Sequence, residues 1–180
     1  MSDISRVLIS AEELDRITTR VAAEIDRDYK DVEGRIVLVC VLKGSIVFMG
    51  DLMKKLTVPV EIECVRISSY GSGTTSGGRI NLLLDVDRAD IGECNLIVVE
   101  DIIDSGLTLT FLVKHLIDKG AKSVRTVTLL DKPSRRKVDF KTDYVGKEIP
   151  DEFVIGYGLD YDERYRELPY VGILDPSVYS

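Results

Sequence analysis

The chain has 180 residues, enough for one domain, residues 1–180, with a substantial buried core. Hydrophobic residues make up 44% and charged residues 31%, an ordinary globular balance, and 24 basic against 31 acidic residues leave a net charge of −7. That charge argues against nucleic acid as the main partner. No apolar run approaches the length of a membrane span, and Met1-Ser-Asp-Ile-Ser-Arg6 lacks the plan of a signal peptide, so the expected location is cytoplasmic with no membrane partner.

Residue types narrow the chemistry further. Cys40, Cys64 and Cys94 are odd in number and show no C-x-x-C spacing, which predicts reduced, buried thiols. His115 is the only histidine and falls off the apolar stripe of its helix, so it is expected at the surface. Ser-His or Cys-His catalysis, and a zinc site of several imidazoles, therefore lack their parts.

In chain order, Ser10-Ala-Glu-Glu13 has capping-box form, and Leu14, Ile17, Val21 and Ile25 follow at helical spacing. Arg35 to Leu42 is a continuous apolar run, as expected of a strand buried on both faces, and it ends in Lys43-Gly44-Ser45. The next helix is expected to turn Ile46, Met49, Leu52, Met53 and Leu56 inward. Val60 to Ser69 alternates and reads as a half-exposed strand. Tyr70-Gly-Ser-Gly-Thr-Thr-Ser-Gly-Gly78 reads as a connection with no helix after it, hence no dinucleotide loop, and Arg79 to Leu84 returns as a strand. Asp85 to Glu93 is an acidic loop.

Leu96-Ile-Val-Val-Glu-Asp-Ile-Ile-Asp-Ser-Gly-Leu-Thr-Leu109 is the most informative stretch. A doubly buried strand runs into a short Gly-containing loop and then a helix with Leu109, Leu112, Val113 and Leu116 on one stripe. Strand, loop, helix start aims backbone N–H groups and a positive helix end at an anion. The hydroxyls of Ser105 and Thr108 add donors, and Gly106 allows close approach. Glu100 and Asp101 would repel a phosphate unless they accept bonds from hydroxyls or hold a hard divalent cation. A ligand with a phosphate at one end and a sugar diol plus metal at the other, such as a ribose 5-phosphate, reconciles the two halves.

Ser123 to Leu130 is the next strand and delivers Asp131-Lys-Pro-Ser-Arg-Arg136. Lys132 sits at its carboxyl end, within reach of the crevice where open α/β sheets bind ligands, whereas Arg135 and Arg136 read as solvated surface. Phe153 suits either core packing or stacking on a base. Asp160 is another strand-end carboxylate, and Val171 to Leu174 is expected to close the sheet.

Val98-Val-Glu-Asp-Ile-Ile-Asp-Ser-Gly-Leu-Thr108 resembles the 5-phosphoribosyl-1-pyrophosphate (PRPP) motif of the type I phosphoribosyltransferases. Lys132-Pro-Ser-Arg-Arg136 and Ile149-Pro-Asp-Glu-Phe-Val-Ile-Gly-Tyr-Gly-Leu-Asp-Tyr161 are similar to the hypoxanthine-guanine branch of that family. The resemblance runs from about Val37 to Leu174. It implies an α/β fold: a mostly parallel central sheet flanked by helices, a small hood (about 132–136 and 149–174) and a lid loop (about 69–80). The implied reaction is Mg2+-dependent purine salvage, moving 5-phosphoribosyl from PRPP to N9 of hypoxanthine or guanine, with IMP or GMP and pyrophosphate as products. The resemblance also implies a homodimer or homotetramer.

By the same resemblance, Asp104, Ser105, Gly106, Leu107 and Thr108 hold the 5-phosphate, while Glu100 and Asp101 engage ribose hydroxyls and metal. Lys43, Gly44 and Arg166 hold pyrophosphate, and the peptide before Lys43 is often cis. Asp160 binds a second magnesium, and Ser69-Tyr70 sits in the closing lid. Phe153 stacks on the purine, Lys132 donates to its 6-oxo group, and backbone carbonyls at Val154 and near Asp160 read the remaining edge. Asp104 is the candidate general base for purine N7. A lysine donor selects a 6-oxopurine over adenine and leaves hypoxanthine, guanine and xanthine unranked. A regulator that keeps the fold and binds nucleic acid is the reading from another class, and the acidic balance counts against it.

Overall fold

In a computed structural model the protein is described over residues 3–70 and 79–179. The elements run β1 (Ile4–Ile9), α1 (Ala11–Tyr29), β2 (Arg35–Leu42), α2 (Ile46–Lys55), β3 (Glu61–Tyr70), β4 (Arg79–Leu84), β5 (Cys94–Ile103), α3 (Leu107–Asp118), β6 (Ser123–Asp131), β7 (Tyr144–Glu148), β8 (Val154–Ile155) and β9 (Val171–Leu174).

The main sheet has the order β4-β3-β2-β5-β6-β7, parallel throughout except for β4, which pairs antiparallel with β3. Parallel strands need crossovers, and these put helices on both faces. The burial of β5 records this. Leu96 and Val98 pack with Leu109, Leu112 and Leu116 of α3, while Ile97 and Val99 face the opposite cluster with Ile25, Phe48 and Leu52 of α1 and α2. Alternate residues of one strand thus serve two cores. α1 starts as its capping box requires, with Ser10 Oγ accepting from Glu13 N at 3.3 Å.

Three sequence expectations need correction. β9 does not close the main sheet. It lies between β1 and β8 in a separate three-stranded antiparallel sheet, because β1 and β8 offer their edges to it. In α2 the buried side chains are Phe48, Met49 and Leu52, whereas Ile46 and Met53 are exposed and Leu56 is partly buried. The helix is rotated relative to the expected stripe, because Phe48 fills the core beneath it. Arg136 is no solvated surface residue: it is mostly buried and paired with Asp131. Among the described residues, no helix is long and apolar enough to cross a membrane.

Candidate active site

The topology fixes where chemistry can occur. Strands β2 and β5 are neighbours at the centre of the sheet, but the chain leaves β2 towards β3 and leaves β5 towards β6. Their carboxyl ends flank a switch point, where an open α/β sheet has its crevice. Lys43-Gly44 follows β2, and Asp104-Ser105-Gly106 follows β5.

Gly106 takes φ +80°, in the left-handed region, and stands immediately before α3. A side chain there would also press on Arg136, Val138 and Phe140. Ser105 Oγ accepts from Leu107 N at 3.3 Å, and Lys137 N donates to Ser105 O, so the loop is pinned from both sides. Asp104, Ser105, Gly106 and Thr108 line a cavity of about 300 Å³ together with Gly44, Glu100 and Asp101. Leu107 is exposed outside that lining.

Glu100 is only 8% exposed, and Asp101 lies beside it at the strand end. Burial, and then the neighbouring Asp101, push the Glu100 carboxyl well above the usual carboxylate range, and burial also raises Asp101. Asp101 Oδ1 accepts from Ile102 N at 2.7 Å. Its other oxygen packs on Gly44, where a Cβ would overlap it and stand 2.6 Å from Asp101 Cγ.

The Leu42–Lys43 peptide bond is cis, as the resemblance implies. Lys43 Nζ pairs with Glu163 Oε2 at 2.8 Å. Arg166 joins the same network, with Nη1 donating to Gly158 O at 2.7 Å and Nη2 lying 2.9 Å from Asp160 Oδ1. Asp160 Oδ2 accepts from Glu163 N at 2.9 Å. Asp160 does not join Glu100 and Asp101 in one cluster: among the described residues no three acidic, histidine or cysteine side chains gather as a metal site.

A second lobe of about 530 Å³ is lined by Lys132, Arg135, Asp151, Phe153, Val154, Leu159, Asp160 and Tyr179. Asp101, Ile102 and Asp104 also line it, so they form a wall common to both lobes. Lys132 is only 8% exposed, its backbone N–H bonds Ile103 O at 3.0 Å, and its Nζ stands 3.9 Å from Asp104 Oδ1. Phe153, 39% exposed, is part of the lining of this lobe.

The structure therefore brings Gly44, Glu100, Asp101, Asp104, Ser105, Gly106 and Thr108 around one lobe, and Lys132, Phe153, Val154 and Asp160 around the other. Of the expected lid, residues 71–78 lie outside the described residues; the backbone of Ser69 and Tyr70 is placed at the end of β3, and Arg79 and Ile80 begin β4. Sequence reasoning missed Glu163, Tyr179 and the Arg135–Asp151 pair, whose Nε–Oδ1 distance is 2.7 Å. Each depends on a contact between segments far apart in the chain or on a turn without a periodic signal.

Comparison with known proteins places the chain among relatives of one family. The phosphoribosyl transferase domain family matches residues 10–162. The hypoxanthine-guanine phosphoribosyltransferase of Bacillus subtilis is 48% identical over 177 residues, covering 98% of this chain and 97% of that protein. A bifunctional TilS/HprT protein of Listeria monocytogenes serotype 4b is also 48% identical over 180 residues, but these span 27% of its length. Among solved structures, a hypoxanthine phosphoribosyltransferase of Staphylococcus aureus superposes with a TM-score of 0.92 at 43% identity, over 99% of this chain and 95% of that one.

Proposed function

This chain belongs to the phosphoribosyl transferase family, and from that premise we propose how its two lobes divide the work. The protein is an enzyme of purine salvage that transfers the phosphoribosyl group of PRPP to a purine base, giving the nucleotide. The observation that carries our assignment of roles is the wall of Asp101, Ile102 and Asp104 common to both lobes, which would set two substrates side by side.

In this reading the loop from Asp104 to Thr108 receives the 5-phosphate on backbone N–H groups, the hydroxyls of Ser105 and Thr108 and the start of α3. Glu100 and Asp101 accept from the ribose hydroxyls, and Lys43, Gly44 and Arg166 take the pyrophosphate. The base stacks on Phe153. The Lys132 ammonium donates to its 6-oxo group, and the carbonyls of Val154 and the Asp160 region read the adjacent edge. Asp104 accepts the N7 proton while N9 attacks the anomeric carbon and the C–O bond to pyrophosphate breaks. Positioning by rigid strand ends brings the reacting atoms together. Closure by the Ser69-Tyr70 segment keeps water from the sugar cation.

Enzymes of this family need a divalent metal. We assign Mg2+, because the candidate donors are all carboxylate oxygens and a hard octahedral cation is commonly completed by water and substrate phosphates. A buried and a half-buried carboxylate whose pKa values are raised by desolvation suit such an ion. When bound, Mg2+ supplies positive charge to the departing pyrophosphate. A homodimer or homotetramer and a cytoplasmic location complete the reading, the latter supported by three free cysteines.

The test is nucleotide formation by purified protein with PRPP and Mg2+, with hypoxanthine, guanine, xanthine and adenine offered separately beside an Asp104→Asn control. Turnover of the 6-oxopurines that collapses in the control supports the roles given. PRPP binding without turnover of any base would overturn them.

A further inference from the structure

We propose that Tyr179 is a positioning residue for the base: its ring backs Phe153 and sets the plane of the platform on which the purine stacks. The proposal rests on the reading of Phe153 as that platform.

Phe153 stands on a short connection just before the two-residue strand β8, with 39% of its surface exposed. A ring so placed needs neighbours to fix both its plane and its rotation. Tyr179 fixes the plane, stacking on Phe153 with centroids 5.0 Å apart and 25° between the rings. Tyr161 meets it edge-on, at 5.6 Å and 85°. Tyr161 and Tyr179 are themselves 6.5 Å apart, so the three rings form one cluster.

The chain is built to hold Tyr179 there. Leu174 N donates to Phe153 O at 2.9 Å, tying the end of β9 to the backbone of the platform residue itself. A short turn at Pro176–Val178 then reverses the chain, capped by Asp175, whose Oδ1 accepts from Ser177 N at 2.9 Å and from Ser177 Oγ at 2.6 Å. Tyr161 O–H reaches Val178 O at 3.5 Å. Phe153, Tyr161 and Tyr179 are thus held by one hydrogen-bonded unit of the small sheet.

Spacing decides which face the base takes. A base sandwiched between two rings needs roughly 7 Å between them, two van der Waals separations. At 5.0 Å the Tyr179 and Phe153 rings are already in contact. No base fits between them, so the base takes the face of Phe153 that Tyr179 leaves free, and Tyr179, which borders the same lobe, acts on the base by holding that ring.

Steady-state kinetics of Tyr179→Ala, Tyr179→Phe and Phe153→Ala test this. Tyr179→Ala is expected to raise KM for hypoxanthine about two- to tenfold, the range of one aromatic pair, with KM for PRPP and kcat nearly unchanged. Tyr179→Phe keeps the ring and is expected to match the parent, and thermal melting of each variant reports any general loss of fold. An unchanged base KM in Tyr179→Ala, beside a raised one in Phe153→Ala, would overturn the proposal and leave the platform intact. A lowered base KM in Tyr179→Ala would also overturn it, by making Tyr179 a competitor for the base. Unchanged base KM in both alanine variants would remove the platform reading and the proposal with it.

Discussion

Lys132 Nζ and Asp104 Oδ1 stand 3.9 Å apart across the junction of the two lobes, with the lysine largely buried and the carboxylate about half exposed. The separation exceeds a hydrogen bond, so each group remains available to a ligand. Changing Lys132 to Gln, which can donate and accept, is expected to weaken hypoxanthine by roughly tenfold to a hundredfold in kcat/KM and to narrow its advantage over adenine. Changing Asp104 to Asn is expected to lower kcat by about a hundredfold or more, with a smaller effect on KM for PRPP. Initial rates with each base check both.

Gly44 touches Asp101 so closely that a methyl group has no place. Gly44→Ala must displace the half-buried Asp101 carboxylate from the centre of the site. A loss of roughly a hundredfold in kcat/KM for PRPP is expected, the size of effect that a 1 Å misplacement produces. Rates measured over a range of PRPP concentration, with a melting curve to verify folding, test this.

Asp85 is one contributor to the acid limb of stability that lies away from the crevice. Burial pushes the Asp85 carboxyl up, but hydrogen bonds from Lys119 and His115, at 2.7 Å and 2.9 Å, outweigh it and hold the group below its ordinary value. A depressed carboxyl contributes stability that is present above the unfolded pKa of about 3.9 and lost as pH falls through the lower folded value. Asp85→Asn is therefore expected to lower Tm by about 1–3 °C at pH 7, with the difference closing below about pH 4. Melting curves from pH 7 to pH 3 for both proteins decide it. The contact also revises the expectation for His115, which is half-buried and partnered rather than simply solvated.

Thiol chemistry should separate the three cysteines. Burial pushes the Cys40 thiol up to about 11 and raises Cys94 as well, and both side chains are buried. Cys64 is only partly buried. At pH 8 iodoacetamide is expected to alkylate Cys64 first, with Cys40 and Cys94 reacting only after unfolding. Peptide mass mapping over a time course reads the order directly.

The strands of the main sheet from β2 to β6 were legible because each is a continuous or alternating apolar run bounded by polar loops. β1 was not, since three of its six residues are exposed and show no alternation. β7 is short and mixes Gly146 with Lys147 and Glu148, so its place beside β6 follows from tertiary pairing. The same limit governs the site. Asp104 to Thr108 is a local motif and can be read as one. The placement of Glu163 beside Lys43 and of Tyr179 beside Phe153 needs chain reversals that carry no periodicity. Ile46 and Met53 misled because helical spacing fixes a stripe but not which of two adjacent stripes faces inward.

The wall of Asp101, Ile102 and Asp104 carries an obligation of thermodynamics. A molecule filling one lobe rests on atoms that also bound the other, so ordering that wall changes the cost of filling its neighbour. Whatever factor PRPP adds to the affinity for the base, the base must add to the affinity for PRPP. Tightness in this crevice is therefore a property of the occupied pair, and each ligand has two dissociation constants, one for the free protein and one for the protein already holding its partner.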